Sequence, residues 1–267
     1  MPELPEVETI ARQLHAVFIG QTVSALWCNW PRMLSPRRAE LHRRVRGAAV
    51  TGITRRAKFL VWHFDRGGVL LIHLRMSGRP LVVRRGERPG KHVHFILRFT
   101  AGPEMHLEDT RKFARASWAA DADPATRDLG IEPLGPQFTP DWLADALGRR
   151  SRQLKPALLD QRLIAGLGNI YTDEALFRAG LHPLRKTDSL RDPEVARLHA
   201  AIIEVLRAAI RHNGASLDWV YPDGEMQDHF QAYGRTGQPC VRCGTAIRRL
   251  VVGQRGTHVC PRCQRGR

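Results

Sequence analysis

The chain of 267 residues contains no run of about 18 consecutive apolar residues, so no membrane-spanning helix is expected. Its opening, MPELPEVETI, is acidic and lacks the apolar stretch of a secretory signal. Cysteine is scarce, with five in all, four of them clustered near the C-terminus. Without a secretory signal, that cluster reads as a metal site rather than a disulfide framework. Cys28 stands apart and reads as a half-buried strand thiol with no role. Carboxylates are also in short supply: 26 Asp and Glu face 42 Lys and Arg, a formal net charge of +16 and a pI of about 10.9. An excess of this size destabilises the fold by self-repulsion unless a polyanion neutralises it. No internal repeat or low-complexity tract is evident.

What the chain does have is enough apolar material, 43% of residues, to bury a core in one large domain or two ordinary ones. Most of its basic residues are arginine, which suits bidentate phosphate and base contacts. A GC-rich genome gives the same bias, and a solvated basic surface is the plain alternative. Nucleic acid is the leading partner class, because counterion release rewards phosphate neutralisation.

The pattern divides the chain into 1–120, a linker at 121–140, a helical part at 141–225 and a small part at 233–267. Val7, Ile10, Leu14 and Phe18 recur at helical spacing behind Pro5, which fits a first helical turn, and Gly20 stops the helix. Short apolar or alternating runs follow at 22–27, 59–64, 69–74, 81–83, 92–99, 105–108 and 114–118. This spacing predicts an antiparallel sandwich or barrel. Residues 121–140 are rich in Pro, Gly and Asp. Helices are expected at 142–147, 157–163 and 170–179, the last two flanking the turn Ala165-Gly166-Leu167-Gly168-Asn169. The longest begins near Pro193, buries Val195, Leu198, Ile202, Val205 and Ala209, and ends at Gly214. The fold class is therefore α+β and multidomain: an N-terminal antiparallel β-sandwich with flanking helices, a helical domain and a C-terminal four-cysteine zinc finger.

Cys240-Val241-Arg242-Cys243 and Cys260-Pro261-Arg262-Cys263 are two C-x-x-C knuckles sixteen residues apart. On a hairpin they bring four thiolates to one tetrahedral Zn²⁺. Four thiolates leave no open position for water, so one structural ion is expected and no catalysis by it. A redox dithiol pair is the competing reading, without a thioredoxin-like unit to support it. The segment from Tyr233 holds no carboxylate, is too short to be stabilised by apolar burial alone, and should be unfolded without metal. Its arginines point to a DNA-contacting ribbon.

Three distant segments resemble one family. Pro2-Glu3-Leu4-Pro5-Glu6-Val7-Glu8 is similar to the N-terminus of formamidopyrimidine-DNA glycosylases. The stretch from Leu159-Asp160-Gln161 through Gly168-Asn169-Ile170-Tyr171 to Phe177 looks like their helix–two-turns–helix element, and Tyr233 through Gln264 looks like their zinc finger. The sister endonuclease VIII branch shares the architecture but usually opens with a different motif.

The resemblance implies a bifunctional glycosylase/AP lyase of base-excision repair. Such an enzyme removes oxidised purines from double-stranded DNA, acts on abasic sites, and cuts the strand by β,δ-elimination. It assigns the nucleophile to Pro2, freed by removal of Met1, and the ring-opening proton donor to Glu3. Glu6 joins the catalytic set as a carboxylate beside the amine. Lys58 is matched to the lysine that contacts phosphate and donates a proton in β-elimination. Arg255 is matched to the arginine of δ-elimination. A base in a duplex must be flipped out to be reached. Met76, Arg111 and Phe113 match the side chains inserted into the gap. His92, Lys155, Arg152 and Asn169 are expected on phosphates, Asn169 at a helix N-terminus where N–H groups face anions. A metal site built from His92, His94 and His106 is the minor alternative. The lesion-capping loop between Asp223 and Tyr233 reads as a few residues short. Ala114 and Thr110 stand where the family commonly has glycine and proline.

The protein is expected to be a monomer in the cytoplasm, at the bacterial nucleoid by function, with no membrane partner. Three other readings compete: an oxidised-pyrimidine glycosylase of the endonuclease VIII type, a non-catalytic zinc-ribbon damage binder, and a basic RNA- or ribosome-associated protein. Pro2-Glu3 with Lys58 argues against the pure binders.

Overall fold

The computed structural model describes residues 1–122, 126–216 and 224–266. The chain forms two compact units, one built on Met1–Arg127, the other on Asp128–Ser216 and Asp223–Arg267. Among the described residues no helix is long and apolar enough to cross a membrane.

The first unit opens with α1 (Leu4–Phe18), followed by β1 (Val23–Cys28), β2 (Leu34–Ser35), α2 (Arg38–Val45), β3 (Val50–Arg56), β4 (Phe59–Phe64), β5 (Val69–His73), β6 (Gly78–Val83), β7 (Val93–Phe99), β8 (Glu104–Asp109) and β9 (Arg115–Ala119). They make a four-stranded sheet in the order β1-β7-β8-β6 and a five-stranded sheet in the order β2-β9-β5-β4-β3. Every pairing is antiparallel except β2 with β9. One core fills this sandwich, and α1 covers it with Val7, Ile10, Ala11, Leu14 and Phe18. Phe18 stacks on Phe99 at 4.7 Å and tilts against Trp62 at 5.6 Å, a geometry aromatic pairs favour.

Three differences from the sequence reading have physical causes. Strand β3 (VTGITRR) was not expected, because Gly52 and two arginines hide its pattern and a register shift breaks it between Val50 and Gly52. Helix α2 escapes notice because only Leu41 and Val45 of its eight residues are buried. Strand β6 begins at Gly78, earlier than expected, since Pro80 suggests a break. A proline is tolerated there because β6 is an edge strand.

The second unit contains α3 (Pro140–Gly148), α4 (Leu154–Leu159), α5 (Asn169–Ala179), α6 (Asp192–Arg211) and the hairpin β10 (Arg248–Val252) with β11 (Arg255–Val259). Thr139 caps α3 by accepting the Trp142 N–H at 3.1 Å. Gly180 ends α5 in the left-handed conformation, φ +69°. The helix expected at 157–163 is α4, shifted earlier. The Gln153 carbonyl already starts it by accepting the Ala157 N–H, and it ends where Asp160 begins turns closed on Leu163 and Ile164. Residues of the expected linker are tied into this unit, with Ile131 bridging Ile164 and the Gly130 N–H donating to the Gln161 carbonyl.

Candidate active site, nucleic-acid contacts and zinc ribbon

Pro2 is buried directly ahead of α1. Glu3 is the N-cap of that helix, and with Glu6 it forms a reciprocal capping box in which the Glu3 N–H donates to Glu6 Oε2 at 2.7 Å. Both carboxylates are 3% exposed. The sequence reading made Glu6 a catalytic carboxylate. Its observed work is to fix the backbone that holds Pro2 and Glu3, satisfying N–H groups that a helix start leaves open.

Lys58 lies in the two-residue turn between β3 and β4, where Ala57 adopts φ +52°. It is 5% exposed. His73 ends β5 in register with Phe59, and its ring meets the Phe59 ring edge-on at 4.7 Å. Its Nδ1 accepts the Arg75 N–H at 3.0 Å. Burial, with the Arg75 and Lys58 charges close by, lowers its pKa to about 3. A neutral imidazole thus stands near the Lys58 ammonium. The sequence reading gives His73 no role. Only the register of β4 with β5 reveals its neighbour.

The three candidate gap-filling residues sit on two loops of the first unit. Met76 is 46% exposed and Phe113 43%, which places them among the few large apolar side chains of the unit that face solvent. The Arg111 guanidinium lies over the Phe113 ring at 4.8 Å. Asp109, fully buried, ties the loops together. Its Oδ1 accepts Ser77 Oγ–H at 2.5 Å and the Arg111 N–H at 3.2 Å, and its Oδ2 accepts the Ala114 N–H at 2.7 Å. Gly78 is required at this junction, because a Cβ there would meet the Leu74 carbonyl oxygen at 2.6 Å. Asp109 was not among the expected site residues.

His92 precedes β7 rather than alternating with His94 along it, and the β7–β8 register shifts between Val93 and Phe95. His94 Nδ1 pairs with Asn29 Oδ1 at 2.8 Å, and His106 Nε2 with Glu104 Oε2 at 3.1 Å. The three histidines do not converge, and among the described residues no histidine belongs to a metal-holding cluster. Cys28 is 3% exposed, more buried than expected, and its Sγ donates to the Trp30 carbonyl at 3.4 Å.

In the second unit, Gln161 closes the two turns ahead of α5. Its Oε1 accepts the Gly166 N–H at 3.0 Å, and its Nε2 donates to the Leu167 carbonyl at 2.7 Å. Asn169 is then presented as the first residue of α5. Its Nδ2 donates to the Gly256 carbonyl at 3.1 Å, while Oδ1 is buried without a partner. Arg152 pairs with Asp160 at 2.9 Å and stays part-exposed.

Lys155, expected on a phosphate, is a correction. It is fully buried, and its Nζ donates to Asp173 Oδ1 at 2.5 Å, the Gly256 carbonyl at 3.0 Å and Thr257 Oγ1 at 2.9 Å. An ammonium has three donors, so all are committed within the protein. Asp173 Oδ2 in turn accepts the His258 N–H at 2.9 Å. This network fastens β11 to α4 and α5, one residue from exposed Arg255. Glu174 holds the entry to the ribbon by accepting the N–H groups of Gln231, Ala232 and Tyr233 at 2.7–2.9 Å. Burial raises its pKa, against those three bonds.

The four cysteines converge, with every Sγ within 4.8 Å of the others. Cys240 and Cys263 are 3.9 Å apart, Cys243 and Cys260 3.5 Å. Tetrahedral Zn–S bonds of about 2.3 Å require S···S separations of about 3.8 Å, so the residues fit one zinc ion. The Arg242 and Cys263 N–H groups donate to the Cys240 and Cys260 sulfurs at 3.4 Å, as zinc thiolates favour. The ion holds the two knuckles together and presents no open coordination position for chemistry. The knuckles pack on α5 through Phe177, Ala232 and Ile247.

The hairpin tip, Gly253-Gln254, has left-handed φ at both residues, +55° and +62°. That is the two-residue turn which matches strand twist, and it exposes Arg255 at the start of β11. Six of the ribbon's arginines fall into a hairpin group, Arg248, Arg249 and Arg255, and a group at the knuckles, Arg242, Arg262 and Arg265.

A β-sandwich that buries a proline ahead of its first helix, and a helical unit that clamps a four-thiolate zinc ribbon, define a class of two-unit proteins. The comparisons identify the family within it. Residues 1–116 match the formamidopyrimidine-DNA glycosylase N-terminal domain, 129–220 its H2TH domain, and 237–266 the zinc finger found in FPG and IleRS. The chain is 44% identical over 272 residues to the formamidopyrimidine-DNA glycosylase of Herpetosiphon aurantiacus, covering 99% of this chain and all of the relative. It is 46% identical over 274 residues to that of a Roseiflexus species, with the same coverage. The Lactococcus lactis Fpg (MutM), solved with DNA containing N7-benzyl-Fapy-dG, superposes with a TM-score of 0.94 at 36% identity, over 99% of this chain and all of that one. The same relative solved with abasic-site DNA gives 0.93 at 35% identity, with the same coverage. The chain belongs to the formamidopyrimidine-DNA glycosylase family.

Proposed function

We propose that this protein excises oxidised purines, 8-oxoguanine and formamidopyrimidines, from double-stranded DNA and then cuts the strand at the abasic sugar. The observation that carries the assignment is Pro2, held at the start of α1 by the Glu3–Glu6 capping box. Helix initiation accounts for Pro5 and for Glu3 as the N-cap, but gives no reason for a buried proline ahead of the cap at position 2. The solved relatives support the substrate class. One is bound to DNA containing carbocyclic 8-oxo-G, another to DNA containing Fapy-dG.

In this reading Met1, which is 54% exposed, is removed first. The freed Pro2 amine titrates near pH 8 when unperturbed, so a useful fraction is neutral at cellular pH. Its lone pair attacks C1′ of the everted nucleotide, the N-glycosidic bond breaks, and the base leaves with that bond's electron pair. The Pro2 nitrogen releases its proton and Glu3 donates one to the ring oxygen, so the sugar ring opens and leaves a cationic iminium between Pro2 and C1′. Loss of a C2′ proton expels the 3′ phosphate, with Lys58 supplying a proton. A second elimination, assisted by Arg255, expels the 5′ phosphate. Met76 and Phe113 fill the vacated stack, where an apolar wedge offsets unstacking, and Arg111 hydrogen-bonds the orphaned base. Arg152, His92 and Asn169 contact phosphates. The part of the lesion-capping region at 217–223 lies outside the described residues. The protein acts as a monomer in the cytoplasm, on the nucleoid.

Borohydride reduction of the enzyme on 8-oxoguanine duplex should yield a covalent adduct whose peptide map places the sugar remnant on Pro2. Pro2→Gly, or a form that keeps Met1, should lose most or all of that adduct. Undiminished trapping by a Met1-blocked form would overturn the assignment. A lesion panel with thymine glycol separates this reading from an oxidised-pyrimidine specificity.

A further inference from the structure

Behind the zinc knuckles lies a cleft of about 610 Å³ lined by five arginines and one carboxylate. The arginines are Arg185, Arg191, Arg242, Arg262 and Arg265, and the carboxylate is Glu194. We propose that this cleft is a second binding site for a nucleic-acid backbone, through which the protein passes directly from one duplex to another.

Charge is the first argument. Glu194 is already consumed: Arg185 grips it with bonds of 2.5 and 3.2 Å, and Arg191 Nε adds a third at 3.3 Å. Cys243 and Cys263 of the zinc site also line the cleft, and a zinc tetrathiolate carries two net negative charges, so five guanidiniums against it and one carboxylate leave two net positive charges (5 − 1 − 2) at the hollow. Gly180, the C-cap of α5, also lines the cleft. A helix C-terminus contributes about half a negative charge, which the remaining two positive charges outweigh. The N-terminal turn of α6, with Glu194 in it, opposes that dipole with one of the other sign.

Preorganisation is the second. The Arg242 guanidinium lies over the Phe177 ring at 4.8 Å and donates to the Arg178 carbonyl at 3.0 Å. The Arg185 side chain is only 14% exposed, and its Nε–H is buried with no acceptor. Arg262 and Arg265 are exposed and have no acidic partner among the described residues. Planar guanidinium forks held beside free ones suit the paired oxygens of phosphate.

Position is the third. Gly180 and Asn169 mark opposite ends of α5. Its 11 residues at 1.5 Å each separate the ends by roughly 16 Å. Asn169 does not line the cleft, so a backbone contacted there leaves the five arginines unengaged. The site rests on the proposal that Asn169 and Arg255 engage the first duplex. An enzyme whose substrate is long DNA always has a second backbone at hand, which favours DNA over an acidic protein segment as the occupant.

The test follows release of a labelled duplex from the full-length zinc-loaded enzyme by stopped flow, with rising concentrations of unlabelled duplex. Direct transfer makes the release rate climb in proportion to competitor. In R191Q/R262Q/R265Q that climb should become much shallower, and the salt slope of what remains of it should fall by roughly three, one for each phosphate no longer neutralised. Borohydride trapping on a short lesion duplex should be unchanged in the variant, which also reports that it is folded. A release rate in the wild type that ignores competitor, or a variant that keeps the full climb, overturns the proposal. So does a polyglutamate peptide that binds the wild type and not the variant while release stays independent of competitor DNA. Failure of the enzymatic reading would show separately, as loss of trapping in the wild type.

Discussion

His73 and Asp109 show how much a single side chain contributes before any ligand arrives. Asp109 spends one carboxylate on three donors from two loops, so Met76 and Phe113 are placed by a common anchor rather than by their own packing. His73 is held neutral by burial, with Arg75 and Lys58 nearby, and its pKa falls to about 3. An unfolded histidine takes up its proton near pH 6.5. Between these values the unfolded chain binds more protons than the folded one, so stability should decline as pH falls from about 6.5 towards 3. Urea midpoints from pH 7 to pH 4 would show this as a steeper loss in the wild type than in His73→Gln. Parallel pH profiles for the two proteins would contradict the depressed pKa.

Among the elements, the zinc hairpin depends most on partners remote in sequence. Its strands are five residues each, and it is fixed by the knuckles at one end and by the Lys155–Asp173 pair beside Gly256 and Thr257. Removing one member of a buried pair strands the other charge and costs about 3–5 kcal/mol. Lys155→Met should therefore lower unfolding free energy by about that amount, measured by denaturant titration with zinc content unchanged. The double variant Lys155→Met/Asp173→Leu should recover much of the loss. A single variant as stable as the wild type would mean that the pair is not desolvated as the structure shows. The elements also show what the sequence made legible. Strands β4, β7 and β8 were readable from apolar runs and α6 from its period. Strand β3 was not, and the short helix α4 was read only with displaced bounds, because neighbours rather than their own patterns decide where they begin and end.

For the whole molecule, a net charge of +16 on 267 residues is the dominant quantity. Binding to duplex DNA should weaken steeply with salt, the logarithm of affinity falling by about 0.9 per decade of salt for each phosphate neutralised. Fluorescence anisotropy on one duplex at several salt concentrations gives that slope directly. A slope near zero would mean that the basic surface does not engage phosphate. Within that surface the structure distinguishes arginines that composition treats as equal. Arg255 is presented at a hairpin tip, while Arg242, Arg262 and Arg265 gather at the opposite end of α5.

Sequence determined the class of fold and the four zinc ligands by itself, and the candidacy of Pro2, Glu3 and Lys58 through its resemblance to a family. Each of these is written in local order: period, knuckle spacing, or a motif a few residues long. Tertiary structure alone decided that Lys155 faces inward, that Asp109 joins two loops and that His73 stands near Lys58. Those facts depend on which strands and helices become neighbours across tens of residues, and a buried charge takes its role from the partners that desolvate it.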